Sequence, residues 1–194
     1  MTATSTAAPA IPGYLTGTWN IDPVHSEVSF VVRHLMVSKV RGRFANFSGT
    51  IVTAPDPLAS SVEASVDLAS VDTGQPDRDA HVRSADFFDV EKYPEMTFRS
   101  TGVRADGDGF VLDGQLSLHG VTRPISLQLE LNGFQPTTPF GDTRVGFSAS
   151  AEIDRRDFGV EFNAPIEGGG VVVGNKVSIS LEIEAIRQDD AERS

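Results

Sequence analysis

The sequence predicts an all-β protein of about eight antiparallel strands with one or two short helices. Three observations carry that expectation. Apolar and polar residues alternate with period two over most of the chain, which means one wet and one buried face per strand. Gly- and Asp-rich turns punctuate the runs, as at Asp106-Gly107-Asp108-Gly109. The only helical stretches are short.

In chain order, Val28, Phe30 and Val32 mark an early strand, and Phe44 with Phe47 suggests the next. Val62-Glu63-Ala64-Ser65-Val66-Asp67-Leu68 alternates cleanly. Asp77 to Asp86 reads as a short helix, and Met36-Val37-Ser38-Lys39 as a turn. Met96 and Phe98 form a strand after Tyr93-Pro94. Phe110, Leu112, Leu116 and Leu118 share one face of another. Ile125 to Asn132 alternates without error, and Gly133 to Gly141 reads as a longer loop. Val145, Phe147, Ala149, Ala151 and Ile153 make a further set, and Val177 to Glu184 repeats the pattern last. About eight half-buried strands need closure or doubling, so the pattern fits a barrel or a sandwich. Long strands with many inward Phe favour the barrel, whose interior is just wide enough for side chains or one small ligand.

The 194 residues suit one domain, expected at 14–188 between a lead-in at 1–13 and a polar tail at 189–194. Lys and Arg number 16 against 27 Asp and Glu, a net charge of −11. That balance argues against nucleic acid as a partner and opposes electrostatic docking on anionic lipid. Cysteine is absent, which excludes disulfides, thiolate metal sites and a Cys nucleophile. No run of 18 apolar residues occurs. The first thirteen residues lack Lys, Arg and an apolar core of signal-peptide length, so a cytoplasmic location is expected.

Several constellations invite chemistry. Asp22, His25 and Ser26 contain the residue types of a triad, but one turn cannot align nucleophile, base and orienter; a strand-entry turn with side-chain-to-backbone bonds is expected. His34 shares parity with Val28, Phe30 and Val32, so it is either a satisfied core histidine or a contact for a ligand's polar end. His81 sits among Arg78, Asp79, Arg83 and Asp86, just before Phe87-Phe88. That segment is either a solvated helix anchored by a Phe or a polar lid over an apolar cavity. Gly168-Gly169-Gly170 lacks the Lys and the helix of a phosphate loop. Arg155-Arg156-Asp157-Phe158-Gly159 reads as a strand end with a surface ion pair and an aromatic anchor. No residue set supports a metal site or a catalytic constellation.

The motifs resemble the YceI-like, polyisoprenoid-binding family. Trp19-x-Ile21-Asp22-Pro23-x-His25-Ser26-x-Val28-x-Phe30-x-Val32-x-His34 is similar to its opening, and Gly42-x-Phe44-x-x-Phe47-x-Gly49 follows. Asp79-x-His81-x-Arg83-Ser84-x-Asp86-Phe87-Phe88-Asp89, Tyr93-Pro94-x-Met96-Thr97-Phe98, His119-Gly120-Val121-Thr122-Arg123-Pro124 and Arg155-x-Asp157-Phe158-Gly159 complete the series. Single motifs are weak, but six in order from Trp19 to Ile186 are specific.

The resemblance implies a lipocalin-like, eight-stranded antiparallel barrel with a long apolar pore. It implies a bound isoprenoid lipid of the polyprenyl quinone or polyprenyl phosphate type, held for carriage or storage, with no other cofactor, and often a homodimer. Many family members carry an export leader, and this chain shows none. Parity and resemblance together name Phe30, Phe44, Phe87, Phe88, Phe98 and Phe147 as the expected wall. His34, Arg83 and His119 are the expected polar contacts. Leu35-Met36-Val37 is the expected point of transient membrane contact. The alternative is an enzyme on a small apolar substrate in the same cavity, with His34 or His81 as acid/base, and a barrel plugged by its own side chains stays open as well.

Overall fold

The structure, a computed structural model, describes residues 10–167 and 169–191. Residues 1–9 of the expected lead-in, 168 of the glycine run and 192–194 of the expected tail lie outside the described residues. The strands are β1 (Gly17–Ile21), β2 (Glu27–His34), β3 (Ser38–Phe44), β4 (Phe47–Thr53), β5 (Ser61–Asp67), β6 (Val71–Asp72), β7 (Glu95–Asp106), β8 (Gly109–Leu118), β9 (Val121–Gln135), β10 (Arg144–Asp154) and β11 (Val173–Arg187). Helix α1 (Pro76–Arg83) lies between β6 and β7, and α2 (Gln188–Ala191) follows β11.

Eight strands close an antiparallel ring in the order β1-β4-β5-β7-β8-β9-β10-β11, with β11 returning to β1. The remaining strands extend the same wall as β11-β2-β3-β6. Thus β11 serves two partners: Ala185 to Arg187 pair with β1, and Val173 to Glu182 pair with β2. The first three positions of the barrel are therefore broken strands, β1 with β2, β3 with β4 and β5 with β6. At the first break, the Asp22 carboxylate accepts the Val24 N–H (3.0 Å) ahead of which Pro23 bars a ladder bond. The barrel reading of the alternation is the observed one: closure leaves no free edge in the ring.

Turns follow the chemistry of their residues. Helix α1 starts with Pro76, is capped by the Gln75 side chain accepting from Arg78 N–H (2.6 Å), and carries Asp77 and Asp79 in its first turn. It is shorter than the expected Asp77–Asp86 segment, because Ser84 leaves helical geometry and caps His81 C=O. His119 and Gly120 turn β8 into β9 with φ of 53° and 75°. A Cβ at Gly120 would stand 2.6 Å from the Tyr93 ring, so only glycine fits there.

Two apolar clusters fill the ends of the barrel. One centres on Phe44, Leu68, Val71, Leu118 and Phe158, with Phe30 and Phe88 packed against it. The other centres on Trp19, Ile51, Val145 and Ala185, with Leu15 and Phe134 packed against it. Trp19 is fully buried. Its indole N–H donates to Thr53 Oγ1 (2.8 Å), whose own hydroxyl donates to Leu15 C=O (2.8 Å).

Candidate functional site

A cavity of about 200 Å³ lies inside the barrel between these clusters and touches both, at Val66 and Leu116 and at Ile51. Its wall is aliphatic and aromatic because inward positions of facing strands are apolar: Phe98 from β7, Phe110 from β8, Leu127 from β9, Phe147 from β10 and Ile179 from β11. Among the described residues, no Asp, Glu, Lys, Arg or His lines it. Of the hydroxyls on its wall, those of Tyr14, Thr53 and Ser60 are engaged by protein. Tyr14 Oη, at one end, donates to Ala54 C=O (2.7 Å) and lies 3.2 Å from Ser60 Oγ. Tyr14 also packs edge-on against Phe134, with ring centres 5.4 Å apart. Such a space strongly disfavours a buried charge and accepts hydrocarbon.

The expected site residues fall into three places. Phe98 and Phe147 line the cavity. Phe30, Phe44 and Phe88 stand in the cluster that closes one end: ring centres are 5.6 Å apart for Phe30 and Phe44 and 6.0 Å for Phe44 and Phe88. Phe87 instead meets His81 edge-on (5.1 Å) and Phe162 at a tilt (5.0 Å) beside α1.

None of the expected polar contacts lines the cavity. The Arg83 guanidinium donates to Ala69 C=O (2.8 Å) and Val71 C=O (3.1 Å), tying α1 to the chain before it. His119 Nδ1 lies 3.2 Å from Phe158 C=O, and its ring rests on Tyr93 at 4.8 Å. His34 is the last residue of β2, paired with Ser38 and Val173 at the rim. His81, the other acid/base alternative, bonds to Asp86 Oδ2 through Nε2 (2.8 Å). Conversely, Leu127, Phe110 and Ile179 were not among the expected wall residues, although their parity was plain in the alternation.

The Asp22, His25, Ser26 group is a joint. Ser26 Oγ donates to Glu184 C=O (3.1 Å) and accepts Glu184 N–H (2.9 Å), while His25 Nδ1 contacts Asp22 Oδ2 (2.8 Å). Asp22, His25 and Glu184 bring their ligand atoms within 4.8 Å of one another, but the Arg144 guanidinium already supplies the cation. It bonds to Asp22 (2.9 Å), Asp142 (2.8 Å) and Glu184. Burial opposes ionisation of Asp22, yet bonds from His25, Val24 N–H and Arg144 outweigh it and hold the carboxyl below its ordinary value. Asp142 and then Glu184 push the Arg144 guanidinium up.

Arg155 departs from the expected surface ion pair. It is buried, and its guanidinium donates to Gly174 C=O (2.9 Å) and Val160 C=O (2.7 Å). Burial pushes its pKa down. The surface pair belongs to its neighbour, Arg156 with Asp154 (2.6 Å).

A family model described as the YceI-like domain matches residues 19–185. Protein YceI of Escherichia coli is 36% identical over 165 residues, covering 84% of this chain and 83% of its own. A relative from Pseudomonas aeruginosa is 37% identical over the same length, with the same coverage. Among solved structures, Burkholderia cenocepacia BcnA superposes with a TM-score of 0.72 at 24% identity, over 84% of this chain and 98% of its own. The Campylobacter jejuni YCEI protein gives 0.68 at 29% identity, over 80% and 90%. A polyisoprenoid binding domain from Saccharophagus degradans, described as implicated in plant cell wall breakdown, gives 0.65 at 21% identity, over 89% and 99%.

Proposed function

This chain belongs to the YceI-like family, and on that premise we propose that its barrel binds the tail of an isoprenoid lipid, of the polyprenyl quinone or polyprenyl phosphate type, for carriage or storage. The observation that carries the reading is a cavity on whose wall, among the described residues, no charged or imidazole side chain stands. The Saccharophagus relative supports it through the ligand class of its description.

The energetics separate affinity from selectivity. Moving hydrocarbon out of water gains about 0.8 kcal/mol per methylene-sized group. The competing state for such a lipid is a bilayer, where that gain is already realised. Net transfer is then small, and ordering the tail opposes it. Selectivity comes from the cross-section of the tube, set by Phe98, Phe110 and Phe147. A quinone ring or phosphate stays outside the apolar section, because the wall offers it no charged or imidazole partner among the described residues.

The test is organic extraction of purified protein followed by mass spectrometry, against a mock purification. The expected result is a near-stoichiometric isoprenoid species, or retention of added polyprenyl quinone or phosphate. An empty extract with no retention of either overturns the reading.

A further inference from the structure

The net charge of −11 hides a local excess of the opposite sign. Residues 28–55 contain Arg33, Lys39, Arg41 and Arg43 and no acidic residue. All four are exposed. The β2–β3 register sets Arg33 opposite Lys39, Val31 opposite Arg41 and Ser29 opposite Arg43, so the four share the outer face of one hairpin. On the adjoining strand β11, the residues beside Val31 and Ser29 are Ser178 and Ser180, which are neutral. Arg43 is paired with Asp72 (3.1 Å). Among the described residues, no ion pair involves Arg33, Lys39 or Arg41.

The tip of that hairpin is apolar and exposed: Leu35 at 38%, Met36 at 53% and Val37 at 82%. Leu35 and Met36 have φ of 49° and 60° in a turn closed by Val37 N–H to His34 C=O (3.2 Å). Asn and Gly are the residues suited to such positions. Two large apolar side chains here cost backbone strain and expose hydrocarbon, a combination that folding alone does not select. Leu35 N–H also donates to Val172 C=O (2.9 Å), which fixes the tip against the loop before β11.

We propose that the β2–β3 hairpin is a membrane-docking element, which sets Leu35, Met36 and Val37 into an anionic lipid surface while Arg33, Lys39 and Arg41 meet the head groups. Stable attachment needs two signals, an apolar insertion and a basic patch, and this hairpin carries both. Arg33 and Lys39 lie about 7 Å behind the turn, and Arg41 about 13 Å, at roughly 3.3 Å per residue. Those spacings match the depth of a head-group layer. Glu167 lies in the neighbouring turn, whose Gly170 faces Met36, but screening limits charge effects to about 10 Å at 0.1 M salt, so three cations unpaired among the described residues outweigh it and the more distant acidic residues. The inference goes beyond the cargo reading and does not depend on it.

The test is co-sedimentation of the full chain with isoprenoid-free vesicles, phosphatidylcholine alone against a mixture with one quarter phosphatidylglycerol. Binding is expected only to the anionic vesicles and is expected to fall as salt rises. Each basic residue is worth about five-fold, so Arg33→Gln with Lys39→Gln and Arg41→Gln should lose about 100-fold. The pair Leu35→Asn and Met36→Gly gives the turn the residues its geometry prefers. It should raise the melting temperature while weakening vesicle binding about ten-fold or more. No binding, equal binding to neutral vesicles, or wild-type binding by the Asn-Gly variant overturns the proposal. Isoprenoid retention is measured separately, so failure of either reading leaves the other identifiable.

Discussion

The Phe98 ring occupies the space that a side chain at Gly114 would need. A Cβ on Gly114 would stand 2.3 Å from Phe98 Cζ. The two residues lie diagonally across β7 and β8, where Phe98 pairs with Leu116 and Ser100 with Gly114. The absent side chain thus lets an aromatic ring lie flat on the neighbouring strand and still border the cavity. Gly114→Ala is expected to displace the ring and cost about 1–3 kcal/mol, as overpacking does. Urea unfolding followed by Trp19 fluorescence would measure it, since Trp19 is the only tryptophan.

A substitution that adds volume to the cavity tests whether the space is used. Ala149 lines it from β10, between Phe147 and Ala151. Ala149→Phe is expected to abolish isoprenoid retention while costing about 1–3 kcal/mol of stability. Retention at the wild-type level in a folded variant would place the ligand elsewhere.

The Trp19, Thr53, Leu15 chain of hydrogen bonds tests the other end of the barrel. Thr53→Val keeps the shape and removes the acceptor. The buried indole N–H is then unsatisfied, at a cost of about 1–3 kcal/mol. The expected outcome is a lower urea midpoint with an unchanged m-value.

Acid sensitivity follows from five depressed carboxylates, two of which, Asp72 and Asp113, sit in surface pairs with Arg43 and Arg104. Arg156 holds Asp154 at about 2; Arg144 depresses Asp142; and His25, Val24 N–H and Arg144 depress Asp22 against the opposing effect of its burial. A depressed folded-state pKa contributes stability above the unfolded value, ordinarily 3.8, and that stability is lost as pH falls through the folded value. Melting temperature is therefore expected to hold from neutral pH down to about 4 and to fall towards pH 2. Asp154→Asn should lower stability at pH 7 and flatten part of that fall. An identical slope in the variant would remove Asp154 from the account.

Arg155 is expected to be intolerant of an apolar replacement. Arg155→Leu leaves the carbonyls of Gly174 and Val160 without their donor. Each buried orphan costs about 1–3 kcal/mol, enough to unfold a marginal domain. Soluble yield and thermal melting would show it.

Much of this barrel was legible because alternation is a direct image of a half-buried strand. Ile125 to Asn132 and Val177 to Glu184 fall wholly within β9 and β11. The site was less legible. Parity tells which face a side chain takes, but not its height along the barrel axis. Phe30 and Phe44 share inward parity with Phe98, yet they pack together at one end, where Leu68, Val71 and Phe158 leave no space. Leu127 and Ile179 on the wall carried the same signal and were less conspicuous than phenylalanine. The burial of Arg155 had no local mark, because its acceptors are backbone carbonyls contributed by Val160 and by Gly174 on β11.

The double duty of β11 bears on how the chain reaches this state. Trp19 pairs with Arg187, and Val28 with Leu181, so the earliest strands, which pair with β4 and β3 on one side, find their second partner only in the last one. Local hairpins such as β7–β8 and β8–β9 need no distant segment and can form early. Ring closure must bridge more than 160 residues, and its loop entropy is met only when β11 arrives. Until then β1, β2 and β10 present open edges that invite pairing with other chains. Refolding yield should therefore be governed by protein concentration during that interval, and docking of the final strand is the step that commits the molecule.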